Sequence, residues 1–196
     1  MAKGRVTRDD WTMAALRALA RGGVPAVAVD VLAKELEVSR GSFYWHFKNR
    51  EALLVAALEA WEQHATTDVV AAVRAVGGGP RERARALLAT ALGTEEIAGL
   101  EPALATQAAH PAVAEVIDRV TRARLAFLTE LAEDIGLAPQ AARHRALACY
   151  AAYLGWLELR RTSPGPAPEL TPGHPEAAAA LDHLITLLLT PAPTAR

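Results

Sequence analysis

A single cysteine, Cys149, stands in this 196-residue chain. It permits no intrachain disulfide and no thiolate cluster, which excludes a disulfide-stapled scaffold and a structural zinc site of the thiolate kind. No 18-residue apolar run occurs, so the sequence offers no helical membrane span. The first residues, Met1-Ala-Lys-Gly-Arg-Val-Thr-Arg-Asp-Asp10, lack the apolar core of a secretory signal. The expectation is a soluble, cytoplasmic protein with no membrane partner. A Gly-rich phosphate loop, a nucleophile elbow and a framed pair of carboxylates are also missing. The six histidines, at 46, 64, 110, 144, 174 and 183, show no i,i+4 pairing. We therefore expect no enzyme, no cofactor and no metal. Neither a strand-like alternation nor an internal repeat occurs.

What is present points to a folded chain. Hydrophobic residues make up 52% and charged residues 22%, unlike a disordered tail. The length suits one compact domain or two small ones with a sizeable core. The net charge of −1 hides an asymmetry. Residues 1–50 carry nine bases (Lys3, Arg5, Arg8, Arg17, Arg21, Lys34, Arg40, Lys48, Arg50) and five acids (Asp9, Asp10, Asp30, Glu35, Glu37), a net +4. The remaining 146 residues are net −5. A basic head on an acidic body is the charge distribution of a protein that presents one end to a polyanion.

Helical periodicity runs through the chain. Trp11, Ala14, Ala15, Ala18 and Leu19 form one apolar stripe. Thr7 with Asp10 reads as a capping box and Gly22-Gly23 as a stop, giving a helix over about 8–21. Short helices follow over about 29–36 and, capped by Ser39, over about 40–46. Asn49 caps a long helix from Arg50 to about Val76, broken by Gly77-Gly-Gly-Pro80. Further helices are expected over about 80–93, 96–108, 111–135, 139–161 and 175–189, about nine in all. The proline-rich stretch 162–174 reads as a mobile loop. The fold class is all-α.

The region 28–47 holds the motif. Leu32, Leu36, Val38, Phe43 and Phe47 are spaced to pack two short helices together. The second helix then leaves Arg40, Gly41, Ser42, Tyr44, Trp45 and His46 to one side. Arginine reads guanine in a major groove, hydroxyls reach phosphate oxygens, and tryptophan meets sugar or a thymine methyl. Phe43 and Phe47 are expected in the core and Tyr44 half buried with its hydroxyl outward. Trp45, on the side opposite the two phenylalanines, is expected in the open.

The stretch Val38-Ser-Arg-Gly-Ser-Phe-Tyr-Trp-His-Phe-Lys-Asn-Arg-Glu-Ala-Leu-Leu54 resembles the DNA-binding signature of the tetracycline-repressor (TetR) family of bacterial transcription regulators. The resemblance covers about residues 7–60. It implies a homodimeric, all-helical regulator of double-stranded operator DNA, with a three-helix DNA-binding domain at 5–60 and a ligand-binding and dimerisation domain at 61–196. By the resemblance, Ser39, Arg40, Gly41, Ser42 and Trp45 contact bases and nearby backbone. Tyr44, His46, Lys48 and Arg50 fall at or beside the family's phosphate contacts. Two positions depart from the family pattern. Glu37 stands where the family turns on a glycine of positive φ, and Ala28 where a capping Thr or Ser touches phosphate, a contact left to a group such as Arg5 or Arg8.

In the second half, Ala146, Leu147, Tyr150, Ala151, Leu154 and Leu157 form one stripe, and Leu181, Leu184, Ile185 and Leu188 another. By the resemblance these helices pair with their copies in a partner subunit. A small-molecule effector needs apolar walls with a few converging polar groups. Trp61, His64, Thr90, Gln107, His110, Arg122, Phe127, Tyr150, Tyr153 and Trp156 are the candidates. Arg122, if it faces inward, favours an acidic ligand; with its neighbour Arg124 and the nearby Asp118 it reads equally as part of a surface ion pair. Cys149 reads as a packed thiol. The leading reading is a repressor released from a palindromic operator by an inducer. The alternative, resting on Glu37 and Ala28, is a helical small-molecule-binding adaptor with a degenerate DNA-binding head.

Overall fold

The computed structural model describes residues 5–93, 100–163 and 175–190, all helical apart from turns and short connections. The expected loop at 162–174 falls almost wholly outside them. The helices are α1 (Arg8–Ala26), α2 (Val29–Glu35), α3 (Arg40–Phe43), α4 (Arg50–Glu62), α5 (Asp68–Ala75), α6 (Pro80–Gly93), α7 (Leu100–Ala105), α8 (Pro111–Asp134), α9 (Pro139–Thr162) and α10 (Pro175–Leu189). The long helix expected from Arg50 is α4 and α5 joined by a π-helical turn, Gln63–Thr67.

The chain divides into two compact units, one of residues 1–63 and 96–118, the other of residues 64–95 and 119–196. In the first, Thr7 caps α1. Its hydroxyl oxygen accepts from the Asp10 amide at 3.2 Å, while Asp10 accepts from the Thr7 amide at 2.7 Å. That backbone N–H, with the Thr7 hydroxyl, holds the Asp10 carboxyl below its ordinary value. The contribution of this box is full above the ordinary pKa of 3.8 and is lost as pH falls through the lower folded value. The regular part of α1 ends at Gly22 and Gly23, where Gly23 takes φ 64°. A Cβ there would come within 3.0 Å of the Gln107 side chain, because α7 lies on α1. Leu100 and Leu104, one turn apart, are fully buried in the same unit.

α2 ends in paired reverse bonds, Val38 N–H to the Ala33 carbonyl at 2.9 Å and Glu37 N–H to the Lys34 carbonyl at 3.1 Å. This closure puts the residue after the helix end into the left-handed region, where glycine is the usual occupant. Glu37 sits there at φ 55°.

Arg50 turns back toward α1. Instead of reaching outward to phosphate, its Nε donates to the Val27 carbonyl at 2.7 Å and its Nη2 to the Val24 carbonyl. It ties the start of α4 to the end of α1 and the α1–α2 connection, sharing the Val24 carbonyl with the Val27 N–H.

In the second unit, Ala84, Leu128, Ala146, Tyr150 and Ile185 form one buried cluster joining α6, α8, α9 and α10. Val73, Phe127 and Leu131 form another between α5 and α8. Arg145 Nη1 donates to the Leu187 and Thr190 carbonyls, closing the end of α10 against α9. Burial raises the Cys149 thiol above its ordinary pKa, so it packs as a protonated, apolar group.

Two stability outcomes follow, read by urea unfolding. Arg50→Met removes the donor of the Val27 carbonyl and one of the two donors of the Val24 carbonyl, and should cost about 1–2 kcal/mol. Glu37→Gly relieves the left-handed strain and should gain about 0.5–1 kcal/mol after the added unfolded-state freedom of glycine.

Candidate nucleic-acid interface

α3 spans only four residues, and the chain continues as a tighter turn in which the His46 and Trp45 amides donate three residues back, to Phe43 and Ser42. This is shorter than the helix expected over 40–46. So short a helix gains little from its own hydrogen bonds and is set by packing. Phe43 supplies it. Its ring meets Trp11 edge-on at 5.3 Å, meets Tyr44 edge-on at 5.2 Å and stacks on Phe47 at 5.8 Å. The Arg8 guanidinium covers Phe47 at 4.8 Å.

With Phe43 and Phe47 turned inward, the intervening residues must turn outward. Trp45 is 82% exposed and Tyr44 57%. Ser39, Arg40, Gly41 and Lys48 are exposed beside them, while Ser42 and His46 are half buried. Ser39 occupies the cap position of α3 without making a side-chain cap bond. Arg40 Nε lies 3.4 Å from the Asp30 carboxylate, and both groups are well exposed. Such a pair is worth under about 1 kcal/mol and opens readily for a stronger partner. Arg5 is exposed just before the α1 cap. Ala28 caps α2 with no side-chain bond. The result is a surface with two guanidiniums, an ammonium, three hydroxyls and two aromatic faces, held by an apolar underside. Its donors match phosphate oxygens and base edges.

The ten ligand candidates divide between the two units. Trp61, Gln107 and His110 belong to the first unit. Trp61 is buried in its core, and His110 Nε2 lies 4.0 Å from the Glu51 carboxylate. In the second unit, His64 is exposed with Nδ1 3.1 Å from Asp68. Thr90 donates to the Ala86 carbonyl at 2.9 Å, and Phe127 is core. Arg122 is exposed. Tyr150, Tyr153 and Trp156 do share a stripe of α9. The two tyrosines stack with ring centroids 6.2 Å apart.

The inward arginine is Arg124, absent from the candidates. Its Nε donates to Thr66 Oγ1 at 3.0 Å and its Nη2 to the Ala65 carbonyl at 3.1 Å. Its guanidinium lies 6.0 and 5.9 Å from the Tyr150 and Tyr153 rings. A sequence signal existed: Arg124 follows Val120 by four and precedes Phe127 by three, within the apolar stripe of α8, whereas Arg122 lies off it. Among the described residues, no three His, Cys, Asp or Glu side chains gather as a metal site. No helix of the described residues is long and apolar enough to cross a membrane.

Comparison with known proteins bears on the first unit above all. Residues 12–57 match the sequence model of bacterial regulatory proteins of the tetR family. The uncharacterized HTH-type transcriptional regulator TtgW of Pseudomonas putida is 38% identical over 63 residues, 32% of this chain and 46% of that protein. The uncharacterized HTH-type transcriptional regulator YerO of Bacillus subtilis is 43% identical over 44 residues, 22% of this chain and 15% of that protein. The chain thus matches less than half the length of either relative. Among solved structures, reduced NemR of E. coli superposes with TM-score 0.75 at 22% identity, over 95% of this chain and all of that one. At that identity the likeness concerns the fold. The match over α1 to α4, on a helix-turn-helix whose outer face carries Arg40, Tyr44 and Trp45, identifies residues 12–57 as a DNA-binding segment of the kind found in bacterial regulatory proteins of the tetR family.

Proposed function

We propose that the chain acts in the bacterial cytoplasm as a homodimeric repressor, with residues 5–60 as its reading head and residues 61–196 as its dimerisation and effector domain. A small molecule bound in the latter releases it from a palindromic operator. The observation that carries the reading is Trp45, 82% exposed beside Arg40 and Tyr44 on a turn whose other side is locked into the core. A large apolar ring left in water at such a place is accounted for by a partner that covers it. Duplex DNA suits the neighbouring groups: Arg40 for a guanine edge, Ser39, Ser42, Tyr44 and Lys48 for backbone and phosphate, Trp45 for sugar or a thymine methyl.

Dimerisation is supported by α9 and α10. Ala146 and Tyr150 face the core, whereas Leu147 and Leu154 remain exposed on the other side of α9, with Ala151 between them. Leu187 of α10 is exposed as well. A second copy would cover this stripe. Two reading heads would then enter major grooves roughly 34–36 Å apart.

The test is binding of the full chain to DNA from just upstream of its own coding region and to a selected random library, at two salt concentrations with excess competitor. Tight, competitor-resistant, salt-sensitive binding is expected. Binding no tighter than to random DNA in both experiments would favour the adaptor reading. With an operator in hand, Arg40→Ala and Trp45→Ala should each weaken binding by roughly ten- to a hundredfold, with an unchanged melting temperature. Lys48→Ala should weaken binding to all sequences alike and flatten the salt slope by about one unit. The pair Leu147→Glu with Leu154→Glu should yield a monomer by sedimentation and lose tight operator binding with it.

A further inference from the structure

The second unit contains a cluster that the reading of the DNA interface does not use. Arg124 of α8 reaches both the π turn, through Thr66 and the Ala65 carbonyl, and the stacked faces of Tyr150 and Tyr153. Three residues beyond Tyr153 on α9, Trp156 is half buried, and its Nε1 is enclosed with no hydrogen-bond partner among the described residues. Leu88 and Ala180 pack in the same patch as Tyr153 and Trp156.

We propose that Arg124, Tyr150, Tyr153 and Trp156 form the effector site, that the effector is a small aromatic carboxylate, and that Arg124 couples its binding to the π turn. Three features set the ligand class. An indole N–H only donates, so an enclosed, unmatched one calls for a ligand that brings an acceptor. A guanidinium is the side chain whose planar fork matches a carboxylate. The two tyrosine rings lie nearly parallel, 17° apart; Tyr150 is buried and backs the half-buried Tyr153, whose ring offers flat apolar surface to a planar body. A quaternary ammonium, which aromatic side chains otherwise favour, would meet the like charge of Arg124 over those same rings.

The coupling follows from what Arg124 holds. Thr66 is only 3% exposed, so a ligand that draws the guanidinium away leaves a buried hydroxyl and the Ala65 carbonyl without that donor. A π turn is a rare, short interruption of the α-helix, frequently found at functional sites. The segment it interrupts continues as α4 toward the reading head. Arg124 is thus a binding residue toward the ligand and a positioning residue toward the helix.

The binding half of this inference stands independently of DNA; the coupling half rests on the reading of the chain as a ligand-released regulator. The experiment titrates the full chain by calorimetry with benzoate, benzyl alcohol and benzyltrimethylammonium, and separately measures operator affinity with and without benzoate. Benzoate should bind at least about tenfold more tightly than the other two, as expected for a charge-assisted contact. Trp156→Phe, which keeps the ring and removes the donor, should weaken benzoate by about tenfold. Arg124→Gln should abolish the preference for the anion and lower operator affinity without ligand. Arg124→Lys should restore the charge preference but not the operator affinity, because an ammonium does not bridge Thr66 and Ala65 as the fork does. If Arg124→Gln does not fold, judged by circular dichroism, Trp156→Phe and Arg124→Lys decide. Benzoate bound no better than benzyl alcohol, the ammonium bound best, no probe bound, or the preference kept in Arg124→Gln would each overturn the site. Benzoate bound as expected but without effect on operator affinity would overturn the coupling alone, since linkage makes the two affinities change together or not at all. Absence of operator binding under all conditions sinks the regulator reading instead and leaves the site's result standing.

Discussion

A four-residue helix cannot hold itself in place. The first turn of a helix fixes several dihedrals for one hydrogen bond, and α3 stops soon after that cost has been met. What holds it is Phe43, fully buried against Trp11 and Phe47. The aromatic contact therefore determines more than stability. It fixes the rotation of α3 about its own axis, and that rotation decides that Arg40, Tyr44 and Trp45 face water and not one another. The capping of α1 by Thr7 and Asp10, the reversal at Glu37 and the tie from Arg50 all converge on the same short segment. Each fixes one of the elements that the aromatic cluster packs together.

Much of this was legible because it is local. A capping box needs only the right residues three apart, and Thr7 with Asp10, like Asn49 accepting from the Ala52 amide at 2.8 Å, can be read from spacing alone. The exposure of Trp45 followed from its place opposite two phenylalanines. Glu37 was legible as a position of positive φ because the resemblance marks a glycine there. What spacing could not show was where long side chains end. Arg50 stands beside Lys48 in a basic run, and nothing in the run distinguishes a guanidinium that points to solvent from one that turns back to two carbonyls more than 20 residues earlier.

The effector candidates show the same limit from the other side. Residue type selected ten aromatic and polar residues, and the fold distributes them over two units, several as plain core or surface. Helical register would have done better than residue type. Arg124 occupies a position in the apolar stripe of α8, where a charged side chain has to find partners, and Arg122 does not. The π turn that supplies those partners leaves no signature in Gln63-His-Ala-Thr-Thr67 that a period-3.6 reading could detect.

Arg50 and Arg124 do related work. Arg50 donates to the Val27 and Val24 carbonyls at the kinked end of α1, and Arg124 serves a hydroxyl and a carbonyl at the π turn. Both lie at interruptions of regular helix, where the backbone has groups that its own ladder does not satisfy. They differ in what else is near. Arg50 spans a connection within the helix-turn-helix, and its hydrogen bonds serve to set that connection. Arg124 is shared between a helix interruption and two aromatic faces, so its position can respond to a second partner. A shared donor of this kind links the conformation of the helix to the occupancy of the aromatic site, and it does so through one side chain and without any longer path.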